Sequence, residues 1–201
     1  MSRTNPDRGG KWGIMGGVFD PIHYGHLILA ESARQAYNFD GVLFVPSFDP
    51  PHREAKPIAS FENRCIMVKL AIEGHDHFSV SDLEKDLASP GYTLAVVDYL
   101  QQKHPRTHWH LILGADNITM LDSWHKPEQL IERVPIVVGN RPGYDHDFEN
   151  SRWYARVKVF IMPMIELSST EIRRAVKEDR SIRYMLPEDV RRFVENRDLY
   201  R

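Results

Sequence analysis

Short runs of apolar residues alternate with segments of helical periodicity along almost the whole chain, and this alternation narrows the possible folds more than any other feature. Trp12–Met15, Val42–Val45, Phe78–Ser81, His108–Leu113, Pro135–Val138 and Val157–Met162 read as strands. Between them a helix starts near His26, with Leu29, Ala33, Ala36 and Tyr37 on one face. Residues 61–73, Thr93–Lys103 and Lys126–Arg133 repeat apolar positions at the same spacing. Strand and helix in regular turn predict a parallel sheet covered on both faces, a doubly wound Rossmann-like α/β fold. Sheets of this kind take ligands at the carboxyl ends of their strands, where residues 16–26, 46–53 and 114–116 fall.

Residues 1–11 read as a loose polar tail and 12–201 as one domain. Toward its end, Ser168 with Glu171 makes a capping-box pattern ahead of Ile172, Ala175 and Val176, and Pro187-Glu188-Asp189 opens a second helix. Residues 168–201 are therefore expected to form a small helical appendix on the sheet. Residues 141–156 are polar and rich in turn formers, and the sequence leaves open whether they close over a ligand.

With 201 residues, 42% of them apolar, the chain can bury a full core without staples. A formal net charge of -2 and the lack of a basic stripe argue against a polynucleotide partner. No apolar run of about 18 residues is present, so no membrane span is expected. The single cysteine, Cys65, reads as a small buried hydrophobe and suits a reducing compartment. The start of the chain has no apolar stretch of signal-peptide type, and a cytoplasmic location is expected. Oligomeric state is not legible, and a homo-oligomer is compatible with everything seen.

The segment Gly16-Gly17-Val18-Phe19-Asp20-Pro21-Ile22-His23-Tyr24-Gly25-His26 carries the chemistry. Two glycines after a strand let backbone approach a ligand closely, and N–H groups of such a turn can cradle anionic oxygens. Two imidazoles three residues apart at a helix start can reach one phosphate. The lysine of a Walker loop and the third glycine of a dinucleotide fingerprint are both missing. The two histidines could instead cap the helix or fill space. Zinc would need further ligands, and no cysteine pair is at hand.

The segment resembles the signature Gly-Gly-Thr-Phe-Asp-Pro-x-His-x-Gly-His of the nucleotidyltransferase superfamily, with Val18 at the threonine. Within it, residues 12–201 resemble bacterial nicotinate-nucleotide adenylyltransferases. Pro50-Pro51-His52-Arg53, Gly114-Ala115-Asp116, Leu121-Asp122-Ser123-Trp124, Arg141-Pro142-Gly143 and Ser168-Ser169-Thr170-x-x-Arg173 are similar to further motifs of that family. The third motif departs from its pattern. Tyr92 and Thr93 survive in Asp86–Val97, but the family's arginine is absent and Val96 stands at its second threonine.

The resemblance implies transfer of AMP from ATP to nicotinate mononucleotide, releasing pyrophosphate, in NAD biosynthesis. It implies catalytic roles for His23, His26 and Arg173, and ATP contacts also at Gly16, Gly17, Phe19, Gly114, Asp116, Arg141, Ser168, Ser169 and Thr170. Acceptor contacts are implied at Asp20, His52, Arg53, Tyr92, Thr93 and Trp124, the last by stacking on the pyridine ring. Asp116 could hydrogen-bond a ribose or cap the next helix. Mg2+ is expected to arrive with ATP, without a dedicated protein cage. Phosphopantetheine adenylyltransferases and cytidylyltransferases are sister readings, and a non-catalytic nucleotide-binding regulator is a third. His108 and His110, two apart on one strand, read as ordinary residues.

Overall fold

Six apolar stretches pair side by side in the order β3-β2-β1-β4-β5-β6. They are β1 (Gly10–Gly17), β2 (Gly41–Pro46), β3 (Phe78–Val80), β4 (Thr107–Gly114), β5 (Ile136–Asn140) and β6 (Lys158–Ile161). Every pairing is parallel. The computed structural model describes residues 5–49, 57–87, 91–140 and 149–201.

The pleat sends alternate residues of each strand into different cores. Trp12 and Ile14 of β1, Leu43 and Val45 of β2, and Leu111 and Leu113 of β4 enter one core. It is closed by α3 (Thr93–Lys103), α4 (Ala115–Thr119) and α5 (Pro127–Arg133). Met15, Val42, Phe44, Ile112 and Val137 point the other way, under α1 (Tyr24–Tyr37) and α2 (Phe61–Ala71). The same core takes Ile172 and Ala175 from α6 (Ser169–Lys177), and Val190 and Val194 from α7 (Glu188–Asn196). The doubly wound sheet and its helical appendix are thus as the sequence implies. Chain order reverses beside β1, whose neighbours are β2 and β4, and the crevice at this switch point holds the site.

Ser168 caps α6, its Oγ accepting from the Glu171 N–H at 3.1 Å, a contact worth about 1 kcal/mol in typical helices. One element is added and one expectation changes. Helix α4, only five residues long, is too short to show a period. The tail docks in part: β1 already begins at Gly10, and a 3-10 turn at Pro6–Arg8 is tied down by Thr107 Oγ1 on Pro6 O (2.6 Å) and by Arg106 on Asp7 O (2.6 Å). Among the described residues no helix is long and apolar enough to cross a membrane.

Candidate active site

A cavity of about 740 Å³ opens at the carboxyl ends of the central strands, between the start of α1 and the start of α6. Gly16, at the end of β1, is exposed to it, and a Cβ placed there would meet no atom within 4 Å. A side chain at this position would project into the space a ligand needs. Phe19 follows with φ 52, a left-handed conformation that is unfavourable for a bulky residue. Packing holds it there: the ring is buried, 5.9 Å from Phe44 and edge-on to His26 at 5.1 Å.

His23 is the N-cap of α1, and its backbone N–H donates to His26 Nδ1 at 3.3 Å. An imidazole accepting at Nδ1 carries its proton on Nε2 when neutral, which makes Nε2 of His26 a donor. The two rings lie 3.8 Å apart at 32°, His23 almost buried at 5% and His26 half-buried, and both line the cavity. Gly25 permits this close pairing, since a Cβ there would sit 3.0 Å from His23 Cε1 and Nδ1.

The second signature folds onto the first. Ser169 Oγ donates to Pro21 O at 2.9 Å, and Arg173 Nη1 donates to Asp20 O at 2.8 Å. Ser168, Ser169 and Thr170 line the cavity. Arg173, expected among the catalytic groups, is not one of the lining residues, and its Nη2 donates to Thr170 Oγ1 at 3.2 Å. Through these two bonds Arg173 braces the imidazole loop and a residue that lines the cavity, Thr170. Asp20, expected at the acceptor, does border the cavity, and its carboxylate is held by neighbouring donors. Its carboxylate accepts from the N–H groups of Ile58 (2.9 Å) and Ala59 (3.1 Å) and from the Tyr200 hydroxyl (2.8 Å).

Gly114 and Asp116 border the cavity at the end of β4. Gly114, not Asp116, is the N-cap of α4, so the capping alternative for Asp116 falls away. Its carboxylate folds back over Gly114, where any Cβ would lie 2.5 Å from Oδ1. Across the cavity stand Tyr92, Thr93 and Trp124, together with Val96 of the altered motif. The Tyr92 ring stacks on His125 at 4.1 Å and 13°, and both border the cavity with Trp124. His52, Arg53 and Arg141 lie outside the described residues.

The sequence model of the cytidylyltransferase-like family matches residues 14–175. A chain from Rubrobacter xylanophilus described as "Probable nicotinate-nucleotide adenylyltransferase" is 42% identical over 196 residues, covering 94% of this chain and 91% of the relative. A chain from Salinibacter ruber with the same description is 36% identical over 189 residues, covering 94% and 97%. The chain belongs to the nicotinate-nucleotide adenylyltransferase family. The Plasmodium falciparum nicotinic acid mononucleotide adenylyltransferase, solved in complex with NaAD, aligns over 95% of this chain and 97% of its own, with a TM-score of 0.77. At 19% identity it attests the shared fold.

The described lining takes its charge from histidines and carboxylates. It contains His23, His26 and His125 but none of the described lysines or arginines. It also contains Glu84, which sequence reasoning passed over. Glu84 is buried, and its Oε2 accepts from the Phe48 N–H at 2.9 Å. Gly91 must lack a side chain for this, because a Cβ there would sit 2.9 Å from that oxygen. Burial pushes the Glu84 carboxyl up to about 6, against the pull of the Phe48 N–H and the Arg64 charge.

A carboxyl raised on folding binds its proton more tightly in the native state. Its favourable contribution is complete below about 4.5 and is lost as pH rises through about 6. Glu84→Gln keeps an acceptor for Phe48 and removes the titration. The variant is expected to unfold with wild-type midpoint near pH 4.5 and to be more stable by roughly 2 kcal/mol at pH 7.5, or a Tm rise of about 5 °C. Thermal unfolding at both pH values checks this, and an equal offset at the two would count against it.

Proposed function

We propose that this chain transfers AMP from ATP to nicotinate mononucleotide, giving nicotinate adenine dinucleotide and pyrophosphate. The carrying observation is the close imidazole pair of His23 and His26, 3.8 Å apart and tilted by 32°, at the mouth of the β1-to-α1 crossover. Family membership and the aromatic lining of Tyr92, Trp124 and His125 support the same reading.

In this reaction the mononucleotide phosphate, already ionised, attacks the α-phosphorus of ATP. A phosphate oxygen–phosphorus bond forms as the α–β bridging bond breaks, and the electron pair leaves with pyrophosphate. No protein nucleophile and no proton transfer is needed. The protein aligns attacker, phosphorus and leaving oxygen, and offsets charge building on the transferred group. We assign the second task to His26 Nε2 and the His23 ring, with the Gly16-Gly17 turn and the positive end of α1 beside them. Arg173, Ser169 and the Asp20 carboxylate hold that loop in place. Mg2+ enters as part of the ATP substrate, with phosphate oxygens and water as its proposed ligands. A cytoplasmic site of action suits the unpaired, buried Cys65.

Pyrophosphate release from ATP is measured with nicotinate mononucleotide, nicotinamide mononucleotide and phosphopantetheine in turn, and again with CTP for ATP. The first pairing is expected to have the highest kcat/KM. Preference for phosphopantetheine or CTP overturns the substrate assignment, and nucleotide binding without turnover of any acceptor overturns catalysis. Trp124→Ala is expected to raise KM for the acceptor about tenfold, the equivalent of one aromatic stack, with kcat changed less than threefold. Unchanged KM would remove Trp124 from the acceptor pocket.

A further inference from the structure

The penultimate residue of the chain reaches the active-site loop. Tyr200 is 7% exposed, and its hydroxyl donates to Asp20 Oδ1 at 2.8 Å across 180 positions of sequence. Asp20 itself is 2% exposed and stands three residues before His23. Its carboxylate also accepts from Ile58 and Ala59, on the segment that enters α2 and directly follows residues 50–56, where the His52-Arg53 motif lies. Its backbone oxygen accepts from Arg173 at 2.8 Å. One residue therefore joins the loop bearing the imidazoles, the entry to α2, the second signature and the C-terminus.

A buried carboxylate needs donors, and three neutral donors satisfy Asp20 wherever it sits. The placement is what exceeds a packing need. The donors come from the entry to α2 and from the Tyr200 end of the chain, which share with α1 the core on one face of the sheet, so these bonds fix where the imidazole loop stands on that face. Both burial and the neighbouring Asp20 charge hold the Tyr200 hydroxyl well above the usual phenol range, so it stays a donor. In-line transfer is sensitive to spacing, and a shift of about 1 Å at a reacting centre can lower a rate about 100-fold.

We infer that Tyr200 is a positioning residue, whose hydroxyl, through Asp20, fixes the imidazole loop against the entry to α2 for in-line transfer. The inference rests on the adenylyl-transfer reading of the site. Tyr200→Phe keeps the ring and removes only the hydroxyl. It is expected to lower kcat roughly tenfold at saturating substrates, while KM for ATP stays within threefold, at a temperature well below its Tm. Asp20→Asn is expected to lower kcat too. The hydroxyl deletion made in the Asp20→Asn background is expected to cost less than twofold more, the non-additivity of two groups acting as one.

A merely structural hydroxyl would lower Tm and leave kcat of the folded enzyme within twofold, and that result overturns the inference. Additive losses in the double variant overturn it as well. If Tyr200→Phe does not fold, Asp20→Asn decides: kcat within twofold of wild type ends the inference, and a fall of tenfold or more at unchanged ATP KM supports it. All comparisons use whichever acceptor the wild type turns over. Failure of wild type on nicotinate mononucleotide would then sink the substrate assignment and leave the Tyr200 test intact.

Discussion

His26→Ala is expected to lower kcat by about 100-fold or more while the fold survives, the magnitude seen when one preorganised transition-state donor is removed. The expectation follows from how the ring is held. Nδ1 accepts from the His23 backbone at 3.3 Å, and Phe19 packs edge-on against the ring at 5.1 Å. Both restrict the imidazole before substrate arrives, so its Nε2 donor needs little reorganisation during transfer. The lining offers few cationic side chains among the described residues, and loss of one donor is then poorly compensated. Stability should change far less. The lost capping contact is worth about 1 kcal/mol, or a few degrees in Tm for a chain of this size. His26→Asn separates the two roles, because its carbonyl can accept from His23 while its amide falls short of the Nε2 position. It is expected to regain Tm and not kcat. A folded His26→Ala enzyme with wild-type kcat under saturation would remove the ring from the mechanism.

The contrast between His26 and Arg173 shows where the sequence stops being informative. Both stand in recognisable phosphate-binding patterns, and pattern alone assigns both to the nucleotide. Spacing places His23 and His26 on one turn at a strand end, a local matter, and they do line the cavity together. Whether Arg173 faces ligand or backbone depends on Asp20 O, 153 positions away. The Asp20 carboxylate, which borders the cavity, is likewise held by distant donors, Ile58, Ala59 and Tyr200. Helix α3 was legible from end to end because Pro90-Gly91 and His104-Pro105 punctuate it. Glu84 and Arg64 resemble exposed charges in sequence, since charged residues are rarely fully buried. Only long-range partners take them out of water.

Those partners make Arg64→Ala the most damaging single change expected away from the imidazoles. Arg64 is 1% exposed, its Nη1 donating to Val18 O at 2.7 Å and its Nε to Ala59 O at 3.3 Å. Truncation leaves both carbonyls short of a donor, empties the space of a guanidinium beside the Phe61 ring, and deprives the Asp20 and Glu84 carboxylates of their nearby cation. Removing one partner from a buried charge cluster typically destabilises by 3–5 kcal/mol, here a Tm lower by roughly 10 °C or more. The loss should depend on pH. Arg64 is one of the influences that lower the Glu84 carboxyl, so without it that group rises beyond about 6. Its ionisation then disfavours folding more strongly as pH climbs through the folded value. Denaturant unfolding is therefore expected to show a larger deficit at pH 8 than at pH 5, where Glu84 is already protonated in the native state. Arg64→Lys keeps the charge but cannot span both carbonyls. It should narrow the gap between the two pH values while leaving most of the pH 5 deficit. Equal deficits for Arg64→Ala at both pH values would mean that its guanidinium serves the Val18 and Ala59 carbonyls alone, with no electrostatic hold on the acceptor side of the crevice.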